Sequence, residues 1–195
     1  MIIGITGNIG AGKSTLSQFI GMKGYRVLNA DDMAKKFLKR GEVAYDTVIS
    51  LFGKDILRAD GEIDKKRLAD IVFSDREALK KLTSVTHPLV KEKIISMSGS
   101  NKLIFIEAAV LIESGWHEIV DKIVLVFAYK GQRYMRASKK FGMKEVIRRD
   151  KLQLPYGEKL KFADFLICNT GNLLNLKLQA DKLVKYIDSG RSRGI

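Results

Sequence analysis

Apolar and polar residues follow one another along this chain in two rhythms, one of strands and one of helices. The run Ile2-Ile3-Gly4-Ile5-Thr6 has strand length, and 14–22 then spaces Leu16, Phe19 and Ile20 on one helical face that Gly24 stops. A second strand is expected at 25–28, followed by a helix that runs to Arg40. From 42 to 97 the pattern is almost wholly helical: Val48, Ile49, Leu51 and Phe52 form one stripe, Leu68, Ile71, Val72 and Phe73 a second, and Leu79, Leu82 and Val85 a third. Asp60-Gly61 marks a turn between them, and Thr86-His87-Pro88 predicts a restart, with Pro88 at the first helical position and His87 at the cap. Strands follow at 102–106, closed by Glu107, and at 122–127, where the β-branched and aliphatic content suits a parallel strand buried on both faces. Between them, 108–113 is a short apolar segment with an acidic end.

Residues 131–153 predict two polar helices broken at Gly142. A fifth strand at 165–168 is ended by Asn169-Thr170-Gly171, a helix over 173–187 offers Leu176, Ala180, Leu183 and Val184 to a core, and the tail Gly190-Arg191-Ser192-Arg193 is expected to fray. This order predicts an α/β fold, a five-stranded parallel sheet with helices on both faces. The expected organisation is a single domain over 1–195, with a core of 1–30, 101–128 and 160–188, a helical insertion at 31–100 and a lid at 129–159. The insertion is longer than a crossover connection needs, which makes it a place to bind a second substrate.

Between the first strand and first helix lies Gly7-Asn8-Ile9-Gly10-Ala11-Gly12-Lys13-Ser14, a fit to G-x-x-x-x-G-K-[ST]. Such a loop turns successive backbone N–H groups toward one point at the positive end of a helix, where an anionic phosphate belongs. Glycine at 7, 10 and 12 lets the backbone come close to a ligand, Lys13 can reach the β/γ-phosphates, and the Ser14 hydroxyl can ligate Mg²⁺. The candidate contacts with ATP are therefore Asn8, Ile9, Gly10, Ala11, Gly12, Lys13, Ser14 and Thr15. The bland alternative is a glycine-rich strand-to-helix turn.

Composition narrows the choice. With 46% hydrophobic residues among 195, the chain can bury a sizeable core. The one cysteine, Cys168, rules out a disulfide framework, and its apolar surroundings in sequence predict a buried, inert thiol. There is no run of ~18 apolar residues and no basic stretch leading into one, so a soluble, cytoplasmic protein without a membrane partner is expected. The net charge of +13, from 35 Lys+Arg against 22 Asp+Glu, attracts polyanions. Its bases are interleaved with acids in no concentrated tract, which disfavours nucleic acid and suits phosphate-rich small molecules. Without a G-x-S-x-G elbow, an H-E-x-x-H helix or paired cysteines, acyl transfer and zinc chemistry have no support.

Two further stretches read two ways. Asp31 and Asp32 follow the second strand, where open α/β sheets bind ligands, and either could cap the next helix or serve a substrate. Arg136, Arg148 and Arg149 could close over phosphates as a lid or lie on a solvated helix pair with i,i+4 charge support.

The ordered set of motifs resembles the dephospho-CoA kinase family nearly end to end. The pieces are the loop at 7–15; Asn29-Ala30-Asp31, similar to the family's D-A-D; 64–73, similar to L-D-R-x-x-L-x-x-I-V-F; Thr86-His87-Pro88; Val110-Leu111-Ile112-Glu113, similar to the end of P-L-L-F-E; and Gln153, Lys159, Ala163-Asp164 and Asn169. The chain departs from the pattern at Asn29 and Glu107, where the family usually has Asp, at Lys65 for Arg, and at Ala109 for Pro; Gln132 and Arg133 compete for one family position.

The resemblance implies a three-layer P-loop NTPase fold and transfer of the ATP γ-phosphate to the ribose 3′-hydroxyl of dephospho-CoA, the last step of coenzyme A synthesis. It implies Lys13 and Arg149 at the migrating phosphoryl group and Asp31 as acceptor of the hydroxyl proton. Asn169 would lie near the adenine of ATP, and Lys65, His87 and Glu113 would join Asp31 at the acceptor. Mg²⁺ would be held by Ser14, with Glu107 and Glu113 supporting either the metal or the acceptor site. The expected partners are ATP and dephospho-CoA, acting on a monomer or small homo-oligomer. Another small-molecule kinase, such as a nucleoside monophosphate kinase, would share the loop, sheet and lid; a P-loop ATPase acting on nucleic acid would need a basic stripe that this chain lacks.

Overall fold

The computed structural model describes residues 1–98 and 103–192. The chain divides into two compact units, residues 1–28 with 101–195 and residues 29–100.

The first unit carries the sheet. Its strands are β1 (Ile2–Thr6), β2 (Arg26–Asn29), β3 (Ile104–Glu107), β4 (Lys122–Phe127) and β5 (Phe165–Cys168), parallel throughout and ordered β2-β3-β1-β4-β5. In register, Ile5 lies beside Glu107 on β3 and Val124 on β4. β1 is wholly buried, as its uninterrupted apolar run requires of a central parallel strand. Ile3, Ile5, Phe105, Val124 and Val126 point to one face and pack under α1 (Lys13–Gly21) and α9 (Leu173–Ser192). The predicted core positions of α9, Leu176, Ala180, Leu183 and Val184, are all buried. α9 continues five residues beyond the expected end, through Gly190 to Ser192, so that part of the tail is helical; Arg193, like Lys102 of the expected third strand, lies outside the described residues. Against the other face, Leu111 sits where a Cβ on Gly4 would come within 2.4 Å of its Cδ1.

β5 is an edge strand, and this overturns the expectation for Cys168, whose thiol is exposed. The Asn169 N–H donates to Phe127 O of β4, so by the alternation of a parallel ladder the Cys168 peptide groups face outward. The side chain of Gln179 meets them, Oε1 accepting from Cys168 N at 2.9 Å and Nε2 donating to Cys168 O at 2.8 Å.

After β4, the expected pair of polar helices is present as α6 (Lys130–Phe141) and α7 (Met143–Asp150), separated at Gly142, and a short α8 (Tyr156–Leu160) precedes β5.

The second unit is helical: α2 (Ala30–Phe37), α3 (Tyr45–Phe52), α4 (Lys65–Ser74) and α5 (Arg76–Ser98), around a core that includes Leu38, Val48, Ile56, Leu68 and Val72. The turn at Asp60-Gly61 joins Leu57 and Ile63, which pair as an antiparallel bridge. The predicted restart at Pro88 does not occur, because α5 runs straight through it and His87 is an interior helical residue, not a cap. Ala78, Thr86, Val90 and Ile94 are buried at four- and eight-residue spacing on either side of Pro88, while Ser84, whose carbonyl the missing N–H would have met, is exposed. Packing of one continuous face outweighs the one lost hydrogen bond. Among the described residues no helix is long and apolar enough to cross a membrane.

Candidate active site

The sheet order reverses at β1, with β3 on one side and β4 on the other, and the glycine-rich loop leaves β1 at its carboxyl end, the place where a crevice opens in such sheets. The loop's glycines are required by what surrounds them. Gly10 has φ +76°, and a Cβ there would fall 2.1 Å from the Arg133 carbonyl oxygen on α6. At Gly12, the residue before α1, it would fall 2.1 Å from Asn169 Nδ2. Lys13 opens α1 and folds back over the loop, its ammonium donating to the carbonyls of Gly7 (2.8 Å) and Asn8 (3.3 Å). Next to it, Ser14 Oγ donates to Glu107 Oε1 at 2.6 Å, joining the loop to the acid that ends β3. These are hard oxygen donors of the kind Mg²⁺ takes when it keeps several waters and binds substrate phosphates. Among the described residues no three His, Cys, Asp or Glu side chains gather as a metal cage.

The loop is held from outside by a buried polar cluster. Arg133 Nη1 donates to Ile9 O (3.1 Å) and to Asp150 Oδ1 (2.6 Å); Tyr134 OH donates to the other Asp150 oxygen (2.8 Å). Asn8 Nδ2 donates to Leu154 O at 3.2 Å and lies 3.5 Å from Asp150 Oδ1. Gln153 spans the loop and the segment after β3, accepting from Ile9 N (2.7 Å) and donating to Ala109 O (3.1 Å). Lys159, with no exposed surface, donates to the same carbonyl (2.9 Å) and pairs with Glu113 Oε1 (2.8 Å), which also accepts from Leu154 N at 2.8 Å. Burial pushes the Lys159 ammonium below its ordinary value, against the pull of Glu113. Burial also opposes ionisation of Asp150, but the hydrogen bonds from Arg133 and Tyr134 win and hold its carboxyl below the usual range. The Tyr156 hydroxyl, pushed up by burial, donates to Val126 O under the loop.

The expected site residues distribute between the two units. In the sheet unit, Asn8 to Thr15, Glu107, Glu113 and Asn169 belong to the assembly just described or abut it. Asn169 Nδ2 donates to Ala11 O at 2.8 Å, and Arg136 Nη1 donates to Asn169 O at 3.0 Å, so this residue braces the loop. Arg149 stands on the last turn of α7, with Nε donating to Glu145 Oε1 at 2.6 Å and its guanidinium 4.6 Å from the Phe141 ring centre; Arg148 pairs with the same glutamate. Those two pairs are the i,i+3 and i,i+4 supports of a polar helix, whereas Arg133 is a buried strut.

In the helical unit, Asp31 lies exposed in the first turn of α2, Lys65 opens α4 and His87 lies within α5, where burial lowers its pKa. Neither Asp31 nor Asp32 caps α2. The cap is Asn29, whose Oδ1 accepts from Asp32 N at 3.0 Å. Asp64 performs the same service for α4, accepting from Lys66 N and Arg67 N. Sequence reasoning assigned no role to Tyr134 and Asp150 and none of their own to Arg133 and Gln153. A signal existed for Asp150: among 131–153 only Glu145 and Asp150 are acidic beside eight Lys and Arg, and both are engaged by arginines.

A parallel sheet reversing at the strand before a G-x-x-x-x-G-K-S loop, with lysine and serine at the start of the helix, defines a P-loop nucleotide-binding protein. Comparison with known proteins narrows this. The family model for dephospho-CoA kinase matches residues 1–175. A dephospho-CoA kinase of Aquifex aeolicus is 42% identical over 190 residues, covering 95% of this chain and 96% of its own. A Thermus thermophilus crystal structure superposes with a TM-score of 0.80 at 34% identity, covering 95% of this chain and 97% of the other. A dephospho-CoA kinase from Campylobacter jejuni does so with 0.71 at 29%, covering 97% and 98%. The chain belongs to the dephospho-CoA kinase family.

Proposed function

We propose that this protein transfers the γ-phosphoryl group of ATP to the ribose 3′-hydroxyl of dephospho-CoA, releasing ADP and coenzyme A. The observation that carries the reading is the family match over 1–175, which takes in the phosphate loop, the helical unit and the α6–α7 segment together. In the reaction the bond between the γ-phosphorus and the bridging oxygen of ADP breaks, a bond from the 3′-oxygen to that phosphorus forms, and the hydroxyl proton leaves. Asp31 accepts or orients that proton. Lys13 exchanges its bonds with the Gly7 and Asn8 carbonyls for the β/γ-phosphates, and the loop N–H groups align on them. Ser14, with Glu107 against it, would hold Mg²⁺, which would supply neutralisation of phosphate charge there. Arg149 stabilises charge on the transferring group, and Lys65, His87 and Glu113 serve the acceptor. The net charge of +13 favours capture of two polyanionic substrates. The cytoplasm is the compartment this reading assigns.

A coupled ADP-release assay with dephospho-CoA, AMP, CMP and pantothenate as acceptors tests it. Turnover is expected with dephospho-CoA, and Lys13→Ala should abolish it while leaving the circular dichroism spectrum unchanged. Turnover of AMP or CMP with none of dephospho-CoA would make this a nucleoside monophosphate kinase and end the proposal.

A further inference from the structure

Arg133 and Tyr134 lie in the first turns of α6, and Asp150 is the last residue of α7. Because both donate to the two oxygens of that one carboxylate, the root of the helical hairpin is closed by a single side chain, with Gly142 at its opposite end. The same root grips the phosphate loop. The guanidinium nitrogen that pairs with Asp150 also holds the Ile9 carbonyl, and Asn8 reaches from the loop to Leu154 and toward Asp150. Three residues past Asp150, Gln153 takes the Ile9 N–H, so both polar groups of Ile9 are set by side chains from the ends of the hairpin. The side-chain exposures of Arg133 and Asp150 are 7% and 14%, so the pair is shielded from water and its geometry is well defined.

Such a pair contributes little net stability relative to apolar packing, because desolvation of two charges offsets their attraction. What it does contribute is geometry. Asp150 neutralises Arg133 at 2.6 Å, which makes this arginine a fixed strut and leaves the work on phosphate charge to others. Arg149 precedes Asp150 in the same helical turn, so fixing the backbone at Asp150 fixes the point from which Arg149 projects.

We propose that Asp150 is a positioning residue for phosphoryl transfer: through Arg133, Tyr134 and Asn8 it locks the root of the α6–α7 hairpin to the Asn8-Ile9 stretch of the phosphate loop, so that loop and Arg149 share one frame. This rests on the functional reading above.

The test compares wild type, Asp150→Asn, Asp150→Glu and the double variant Arg133→Gln with Asp150→Asn, in steady-state ADP release with ATP and dephospho-CoA and in thermal melts. Asp150→Asn orphans a buried guanidinium and will lower the melting temperature. The double variant removes both charges, leaves an amide pair, and keeps the question answerable should the single one not fold. Loosening a catalytic frame by about 1 Å costs on the order of 10²-fold in rate. The expected result is a 10- to 100-fold fall in kcat in the double variant, with KM for ATP within about threefold of wild type, and partial recovery in Asp150→Glu. A double variant that melts near wild type and keeps kcat within twofold would show a pair that merely stabilises and would overturn the proposal. A loss confined to KM for either substrate would overturn it as well, since that marks a ground-state contact. Wild type is the control on the underlying reading: if it fails to turn over dephospho-CoA, both readings fall, whereas an active wild type beside unaffected variants sinks this one alone.

Discussion

Gly10 and Gly142 share a backbone φ of +76° and differ in what an added side chain would meet, which makes them a useful pair to compare. Replacing either by alanine forces an L-residue into positive-φ backbone, at ~1–3 kcal/mol. At Gly142 a new Cβ meets nothing within 4 Å, so strain is the whole cost. At Gly10 the Cβ would lie 2.1 Å from the Arg133 oxygen and 2.9 Å from its Cα, backbone atoms that a rotamer change cannot move. Ordinary contact begins near 3.4 Å, so the first turn of α6 must retreat by about 1 Å. That retreat breaks the charged hydrogen bond from Arg133 to the Ile9 carbonyl, worth ~1.5–3 kcal/mol. Gly10→Ala should therefore cost ~2.5–6 kcal/mol, which at ~2–4 °C per kcal/mol for a chain of this size is a fall in Tm of ~5–24 °C, against ~2–12 °C for Gly142→Ala. Turnover at saturating substrate should drop by about 10²-fold in the first variant, as expected for a misplaced site, and stay near wild type in the second. Differential scanning fluorimetry and coupled ADP release on both proteins decide it. Equal shifts in Tm, or a Gly10→Ala enzyme with kcat within threefold of wild type, would refute the claim that α6 and the loop are in rigid contact.

Three further outcomes are expected. Asp31→Asn should lower kcat by roughly 10²–10⁴-fold with little change in Tm, while Asn29→Ala, which removes the observed cap, should cost about 1 kcal/mol of stability; a silent Asp31→Asn beside a crippling Asp32→Asn would move the catalytic assignment by one residue. Arg149→Ala should reduce kcat much more than it raises KM for ATP, and no effect on either would leave Arg149 as a member of the polar pairing with Glu145 alone. The Asp150 carboxyl is held below its ordinary value of 3.8 in the folded protein, so its stabilising contribution is present above that value and is lost as pH falls through the folded-state pKa. The stability difference between wild type and Asp150→Asn should accordingly shrink below about pH 4, and urea titrations giving the same difference at pH 7 and pH 3 would show that charge is not its origin.

Much of the sheet unit was legible because its signals are local. β4 occupies 122–127 as its β-branched and aliphatic content indicated, β1 is set by five residues before the first loop glycine, and Gly142 divides α6 from α7 as a residue with positive φ should. Errors arose where a local signal met a nonlocal one. Pro88 is a strong helix-start residue, yet the buried positions 78, 86, 90 and 94 already ran through it, and a reading weighted toward that spacing would have kept α5 whole. Cys168 sits in a run as apolar as that of β4, but burial follows the position of the strand in the sheet, and strand order is not written in periodicity. The loop's glycines and lysine were recognisable from spacing alone, whereas the clamp formed by Arg133, Asp150 and Gln153 depends on two helices returning to one point. Asn29 shows a subtler case: it occupies the place of an acid in the related pattern, and its amide oxygen serves as a helix cap.

The amide of Gln179 laid along Cys168 bears on how this protein tolerates its own concentration. A parallel sheet ends in strands whose outer peptide groups can recruit another chain, and such pairing seeds aggregation. In the four residues of β5 the outward-facing peptide groups are those of Leu166 and Cys168. Gln179 donates to and accepts from Cys168 as a neighbouring strand would, so any incoming backbone finds half of this short edge already taken and must displace a side chain anchored on α9 to extend the ladder.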